Sequence, residues 1–146
     1  MRTKSNTILV KGDPVQKEGT AKGAINPGML VSIATDSPGG ALINYEPAAA
    51  GAISRNFVRE RDWIGEGTDA TIPTGDRVEI MSCRPGDEVY ARIANGVTIA
   101  TAGVLVAAAA GGTVAAAGEG ATPIGITMEA ADNSDNDNPF VRIEVL

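Results

Sequence analysis

Between residues 84 and 130 short apolar runs alternate with glycine-containing turns: Pro85-Gly86-Asp87 precedes one run, Asn95-Gly96 separates two, and Gly111-Gly112 separates two more. Asn-Gly and Gly-Gly between β-prone runs mark tight hairpin turns, whose central residues need positive φ. The pattern predicts strands over 88–94, 97–102, 104–109, 113–117 and 124–129. Alanines 107–110 favour helix by propensity. Val104-Leu105-Val106 leads into them and Gly111-Gly112 stops them, so a strand is expected there too. Upstream, Val78 and Ile80 alternate with Arg77, Glu79 and Met81, which predicts a strand over 77–83 with Met81 on the polar side. At the end of the chain Val141, Ile143 and Val145 alternate with Arg142 and Glu144, the pattern of a half-buried closing strand.

The first half is less regular. Asn26-Pro27-Gly28 has the chemistry of a type II turn and begins the compact body. Runs over 29–34 and 41–45, separated by the breaker-rich Thr35-Asp36-Ser37-Pro38-Gly39-Gly40, predict a hairpin with a mobile tip. From 46 to 75 the periodicity is lost and Phe57, Val58 and Trp63 are scattered. A long irregular connection with one short helix is expected, and connections of that length commonly carry contacts, here against a neighbouring subunit. Residues 1–23 combine lysines and small polar residues with one apolar triplet, Ile8-Leu9-Val10, and read as an extended arm that orders on a sheet edge. The expected architecture is all-β: a small β-barrel or β-sandwich (tulip-like) body over 24–146, with the arm at 1–23 and the long irregular connection. The strands of 84–130 are expected to form one closed or sandwiched sheet, with functional contacts made from outside it.

Composition narrows the function. A chain of 146 residues suits one domain. Its apolar fraction is 43%, but only 3% is aromatic, so alanine and β-branched residues supply the packing and part of the stability is expected from association. A net charge of −6 speaks against nucleic acid as a partner. Arg2, Lys4, Lys11, Lys17 and Lys22 nevertheless make the arm locally basic. Ile8-Leu9-Val10 is too short for export or for spanning a bilayer, so no membrane partner and synthesis in the cytoplasm are expected. The single cysteine, Cys83, excludes an intrachain disulfide.

With no histidine the commonest general base and metal ligand is missing. Cys83 has Arg84 beside it but no base to activate it, so a structural thiol is expected. Glu60 with Asp62 and Asp87 with Glu88 sit in turn-like sequence and read as solvated charge rather than acid–base pairs. Asn133, Asp135, Asp137 and Glu144 match loop positions of a calcium-binding EF-hand. Asn138 replaces the required glycine, Pro139 follows, and no helix flanks the loop, so a surface loop is expected instead. There is no phosphate-binding glycine loop and no aromatic platform for bases or sugars. Neither a cofactor, a metal nor a small-molecule substrate is expected.

The succession Asn26-Pro27-Gly28-Met29-Leu30-Val31, Thr74-Gly75-Asp76-Arg77-Val78, the run from Arg84-Pro85-Gly86-Asp87-Glu88 to Ala94-Asn95-Gly96, Gly103-Val104-Leu105 and Ile124-Gly125-Ile126-Thr127-Met128-Glu129-Ala130 resembles the capsid decoration, or cement, proteins of tailed bacteriophages. The resemblance runs from about residue 25 to the end, and departs from the family at the alanine-rich 107–117 and the Asn/Asp loop 132–138. It implies a non-enzymatic protein on the outer surface of the virion that binds the expanded head and clamps neighbouring major capsid subunits, commonly as a homotrimer. On this reading Thr7, Ile8, Leu9 and Val10 add a strand to an exposed edge of a partner, while Lys4 and Lys11 steer the encounter. Arg55, Phe57, Arg59 and Trp63 form a second candidate contact, unless Phe57 and Trp63 plug the subunit's own core. Two other classes stand beside it: a glycan-binding or adhesive β module displayed on a particle, disfavoured by the few aromatics, and an enzyme using a carboxylate pair.

Overall fold

The computed structural model describes residues 7–37 and 43–146. Lys4, Arg2 and the expected hairpin tip at Pro38-Gly39-Gly40 lie outside the described residues, as does the start of the 41–45 run. The protein is all-β. Its strands are β1 Leu9–Lys11, β2 Val15–Ala21, β3 Leu30–Ile33, β4 Asn44–Pro47, β5 Asn56–Val58, β6 Arg77–Ser82, β7 Glu88–Arg92, β8 Thr98–Ile99, β9 Leu105–Ala108, β10 Val114–Ala116, β11 Gly125–Thr127, β12 Ala131–Asp132 and β13 Phe140–Val145. Two 3-10 turns, Asp62–Ile64 and Ala110–Gly112, complete the regular structure among the described residues.

Strands β2-β4-β3-β5-β6 close into a barrel, β1-β7-β13-β11-β9-β10 form a six-stranded sheet, and β12-β8 form a small separate ladder. The closed element thus takes β2 from the expected arm and β5 from the expected connection, alongside β3, β4 and β6, which fall on expected strands. The strands of 84–130 lie in the six-stranded sheet and the small ladder, which corrects the expectation that they form one closed or sandwiched sheet by themselves. Asn95-Gly96 does not make a hairpin either, because β8 pairs with β12 rather than with β7. The β3–β4 hairpin and the β9–β10 hairpin across Gly111-Gly112 are as expected. The six-stranded sheet curls: Ile93, just past β7, makes a parallel bridge to Val114 on the opposite edge.

The barrel wall explains why its strands are hard to read. Leu30, Phe57 and Met81 are cross-strand partners in one row, and each is almost completely buried. They face away from the barrel into a core shared with Val89, Val141 and Ile143 of the six-stranded sheet. Their neighbours Val31, Val58 and Ile80 point the other way, into the barrel's own core with Ile25, Tyr45, Ile72 and Val78. A wall buried on both faces shows paired apolar residues instead of alternation, so Met81 belongs to a second core and not to a polar face. Phe57 plugs the subunit's own interior and leaves the list of contact residues.

Strand β2 is polar and mostly exposed over its first half, yet it pairs with β6 from Val15↔Ser82 to Thr20↔Arg77. Tertiary pairing overrides weak strand propensity here. Gly19 permits it, because a Cβ there would lie 2.5 Å from the Ile43 carbonyl oxygen and from the Tyr45 ring. The barrel is pinned to the sheet at Gly28, whose φ of 85° suits the expected turn, and a Cβ at that position would meet the Tyr90 carbonyl oxygen at 2.9 Å. Alongside, the Arg92 guanidinium donates from Nε to the Pro27 carbonyl at 2.7 Å and from a terminal nitrogen to the Thr68 carbonyl at 2.9 Å. It also lies 4.6 Å from the Phe140 ring centroid.

Candidate interaction surface

The expected arm is drawn into the body. β1 pairs with β7 of its own chain, Leu9 opposite Val89 and Lys11 opposite Glu88. Ile8 is fully buried, and its N–H donates to the Glu60 carboxylate at 3.0 Å. Thr7 is exposed and turns its hydroxyl onto the Leu9 carbonyl at 3.2 Å. Val10 is half-buried, and the Lys11 ammonium stands 3.7 Å from Glu88. An arm that ordered only on a partner's edge would leave these groups free, so residues 9–11 and 15–21 are corrected from arm to body.

The carboxylates of interest act as anchors. Glu60 is buried under Ile8, whereas Asp62 stands exposed on the 3-10 turn beside Arg59 at 3.3 Å. Asp87 accepts the N–H of Arg84 at 2.8 Å and that of Asp13 at 3.3 Å. Glu88 is bonded by Arg142 Nε at 2.8 Å. In the Asn/Asp loop, Asn133 is fully buried and donates to the carbonyls of Ile93 and Ala94 at 3.3 and 3.2 Å. Its own oxygen accepts the Asn138 N–H at 3.1 Å. Glu144 sits within β13 opposite Ile126 and Glu88. Position 1 of the calcium-like pattern is therefore committed to holding the loop shut.

Two surface patches lie toward the two ends of strand β6. The first is a groove of about 560 Å³ at the Ser82 end of that strand, lined by Lys17, Ile33, Ile53 and Arg55 among others. Ser54 builds its rim, donating its hydroxyl to the Val31 carbonyl at 2.7 Å and accepting the Asn56 N–H at 3.1 Å. That double bond fixes the turn and leaves Ile53 projecting, 77% exposed, with Ile33 at 53% beside the same groove. Arg55 is oriented by donating from Nε to the Leu146 main-chain oxygen at 2.7 Å. No carboxylate lines this groove, although the chain as a whole is acidic.

Cys83 lies at the margin of the groove but is buried, and burial first, then the negative charge of Asp87, push its thiol up to about 12. A thiol held protonated is not a nucleophile. Native protein should accordingly react with a small thiol reagent at neutral pH far more slowly than denatured protein, and equal rates would contradict the assignment. In the unfolded chain the thiol ionises near 9.0, in the folded chain only near 12, so the unfolded state sheds its proton first and stability falls as pH rises across that interval. Cys83→Ala should flatten that alkaline loss, measured as unfolding midpoint against pH.

The second patch is a knob. The 3-10 turn Asp62–Ile64 ends at Gly65 in the left-handed conformation, whose N–H donates to the Asp62 carbonyl at 3.0 Å. Trp63 and Ile64 are displayed 43% and 55% exposed. Beneath them, Arg77 places its guanidinium 5.6 Å from the Trp63 ring centroid and pairs with Glu18. Arg61 is buried and binds Glu66 at 2.7 Å and Asp76 at 2.9 Å, bonds that raise its already high pKa, Asp76 contributing most. Arg59 reaches Asp62 at 3.3 Å and Glu79 at 3.8 Å.

Of the four residues expected in the second contact, Arg55 falls in the groove, Arg59 and Trp63 in the knob, and Phe57 in the core between them. Lys17, Ile33, Ile53 and Ile64 were not foreseen. Ile53, a lone isoleucine between alanine and serine, was the available signal.

No protein-family model matches this chain, and no curated protein does. Among solved structures it is similar to the N base of the head fiber gp8.5 of bacteriophage phi29, with a TM-score of 0.61 and 18% identity over 90% of this chain and 93% of that one. At that identity the likeness shows a shared fold.

Proposed function

We propose that this chain is a structural component of a phage head, one that binds the outer surface of the mature capsid and stabilises it by clamping neighbouring major capsid subunits, as a trimer. The observation that carries the reading is the likeness over nearly the whole chain to the base of a head fiber. The chemistry of the body supports it. Glu60, Asp87, Glu88 and Asn133 are engaged in holding the fold together, and Cys83 is buried. Among the exposed large apolar side chains, Ile33 and Ile53 border the groove and Trp63 and Ile64 form the knob, while Leu105 on the six-stranded sheet and Met128 just past its strand β11 are exposed elsewhere.

A protein that binds only the expanded lattice stabilises it by mass action, and linking several weak contacts in one oligomer multiplies their effect through effective concentration. Strand addition by Thr7 to Val10 is no longer needed, since β1 has its partner within the chain. The test is the temperature at which heads of the phage carrying this protein rupture, followed by release of packaged DNA. Saturating protein should raise it; an unchanged rupture temperature would overturn the stabilising role.

A further inference from the structure

We propose that the two patches are the halves of a single contact: the Trp63–Ile64 knob of one copy seats in the groove between Ile33, Ile53, Lys17 and Arg55 of a second copy. This deepens the head-associated reading, on which it rests for its biological use.

Three observations point to a second copy as the occupant. The first is apolar complementarity, a convex pair of exposed side chains facing a concave site with two exposed isoleucines. The groove, about 560 Å³, is of the size that receives a compact apolar group. The second is charge. Lys17 and Arg55 line the groove with no carboxylate between them, and no ion pair with a side-chain carboxylate engages either of them among the described residues. The knob segment 59–69 carries Asp62, Glu66 and Asp69 and the buried Glu60 against Arg59 and Arg61, with Arg77 beneath Trp63. Arg61 is consumed by Glu66 and Asp76, while the Asp62 side chain is 60% exposed beside the knob. A cationic groove on an acidic protein is matched by an acidic knob on the same protein.

The third is placement. Arg77, under Trp63, opens β6, and Ser82, at the groove, closes it. At roughly 3.3 Å per residue, the two ends of that strand are about 17 Å apart. The knob and groove of one copy lie toward different ends of β6, and two unlike patches meeting between copies make a head-to-tail contact that can close into a ring. The closed ring is where the trimer of the proposed function would come from.

Light scattering behind a sizing column tests the contact with purified protein alone. Wild type is expected to run as an oligomer, and Trp63→Glu and Ile53→Glu each as a single copy. Both sites are exposed, so both variants should keep the wild-type circular dichroism spectrum; Ile64→Glu reads the same knob if Trp63→Glu does not fold. Mixing the knob variant with the groove variant is decisive, because each retains the half the other lacks: a complex of two copies is expected. A wild type that stays single at every soluble concentration overturns the proposal, as does a folded variant that keeps the wild-type mass or a mixture that stays single. Heads are absent from this experiment. A chain that assembles here yet ignores heads removes the head reading and leaves this contact standing, and one that binds heads as single copies does the reverse.

Discussion

Replacing Phe57 with alanine should lower the unfolding free energy by about 3–5 kcal/mol, the usual cost of emptying a buried aromatic site. Phe57 is only 1% exposed and is the middle of the Leu30–Phe57–Met81 row that joins barrel to sheet. Since small domains have about 5–15 kcal/mol in all, the variant should unfold at a much lower denaturant concentration. Its m-value should be unchanged if the two cores still unfold together. Trp63 provides the contrast. It is 43% exposed, so Trp63→Ala removes only part of a ring's burial and a cation–π contact of about 0.5–1 kcal/mol. Measured in dilute solution by chemical denaturation, Phe57→Ala should therefore lose clearly more than Trp63→Ala. Equal losses would mean that Trp63 belongs to the core and not to the surface.

Deleting residues 1–12 should unfold or nearly unfold the protein. The deletion removes β1 and Ile8, which is fully buried, and large-to-small changes at such isoleucines alone cost about 2–5 kcal/mol. It also takes the Ile8 N–H from Glu60, a carboxylate only 3% exposed. An acceptor left buried without its donor costs about 1–3 kcal/mol more. A detachable arm predicts the opposite, a truncated chain melting within a few degrees of the full chain. Thermal melts of the two chains decide between them.

How much of this was legible in the chain followed from how each strand is buried. Strands β7, β9, β10, β11 and β13 were readable because they carry apolar residues with clear turn signals between them. Strand β5 was not, since Phe57 and Val58 are adjacent apolar residues buried in two different cores and look like scatter. Strand β2 was hidden for the opposite reason: Gln16, Lys17 and Glu18 are exposed, and Gly19 with the pairings to β6 and β4 holds it in the barrel. The groove was out of reach of any local pattern, because Lys17, Ile33 and Arg55 come from separate parts of the barrel wall. Trp63 could be named in advance as an exposed or buried anchor. Only its place on a turn closed by Gly65 decided which.

Head association is tested most directly by sedimenting purified protein with expanded and with unexpanded empty heads of the phage that carries it, and measuring how much pellets at increasing concentration. Head association predicts saturable pelleting with expanded heads at a fixed number of copies per head, and little with unexpanded ones. Protein that stays in the supernatant with both, at concentrations where it is folded and soluble, would contradict it.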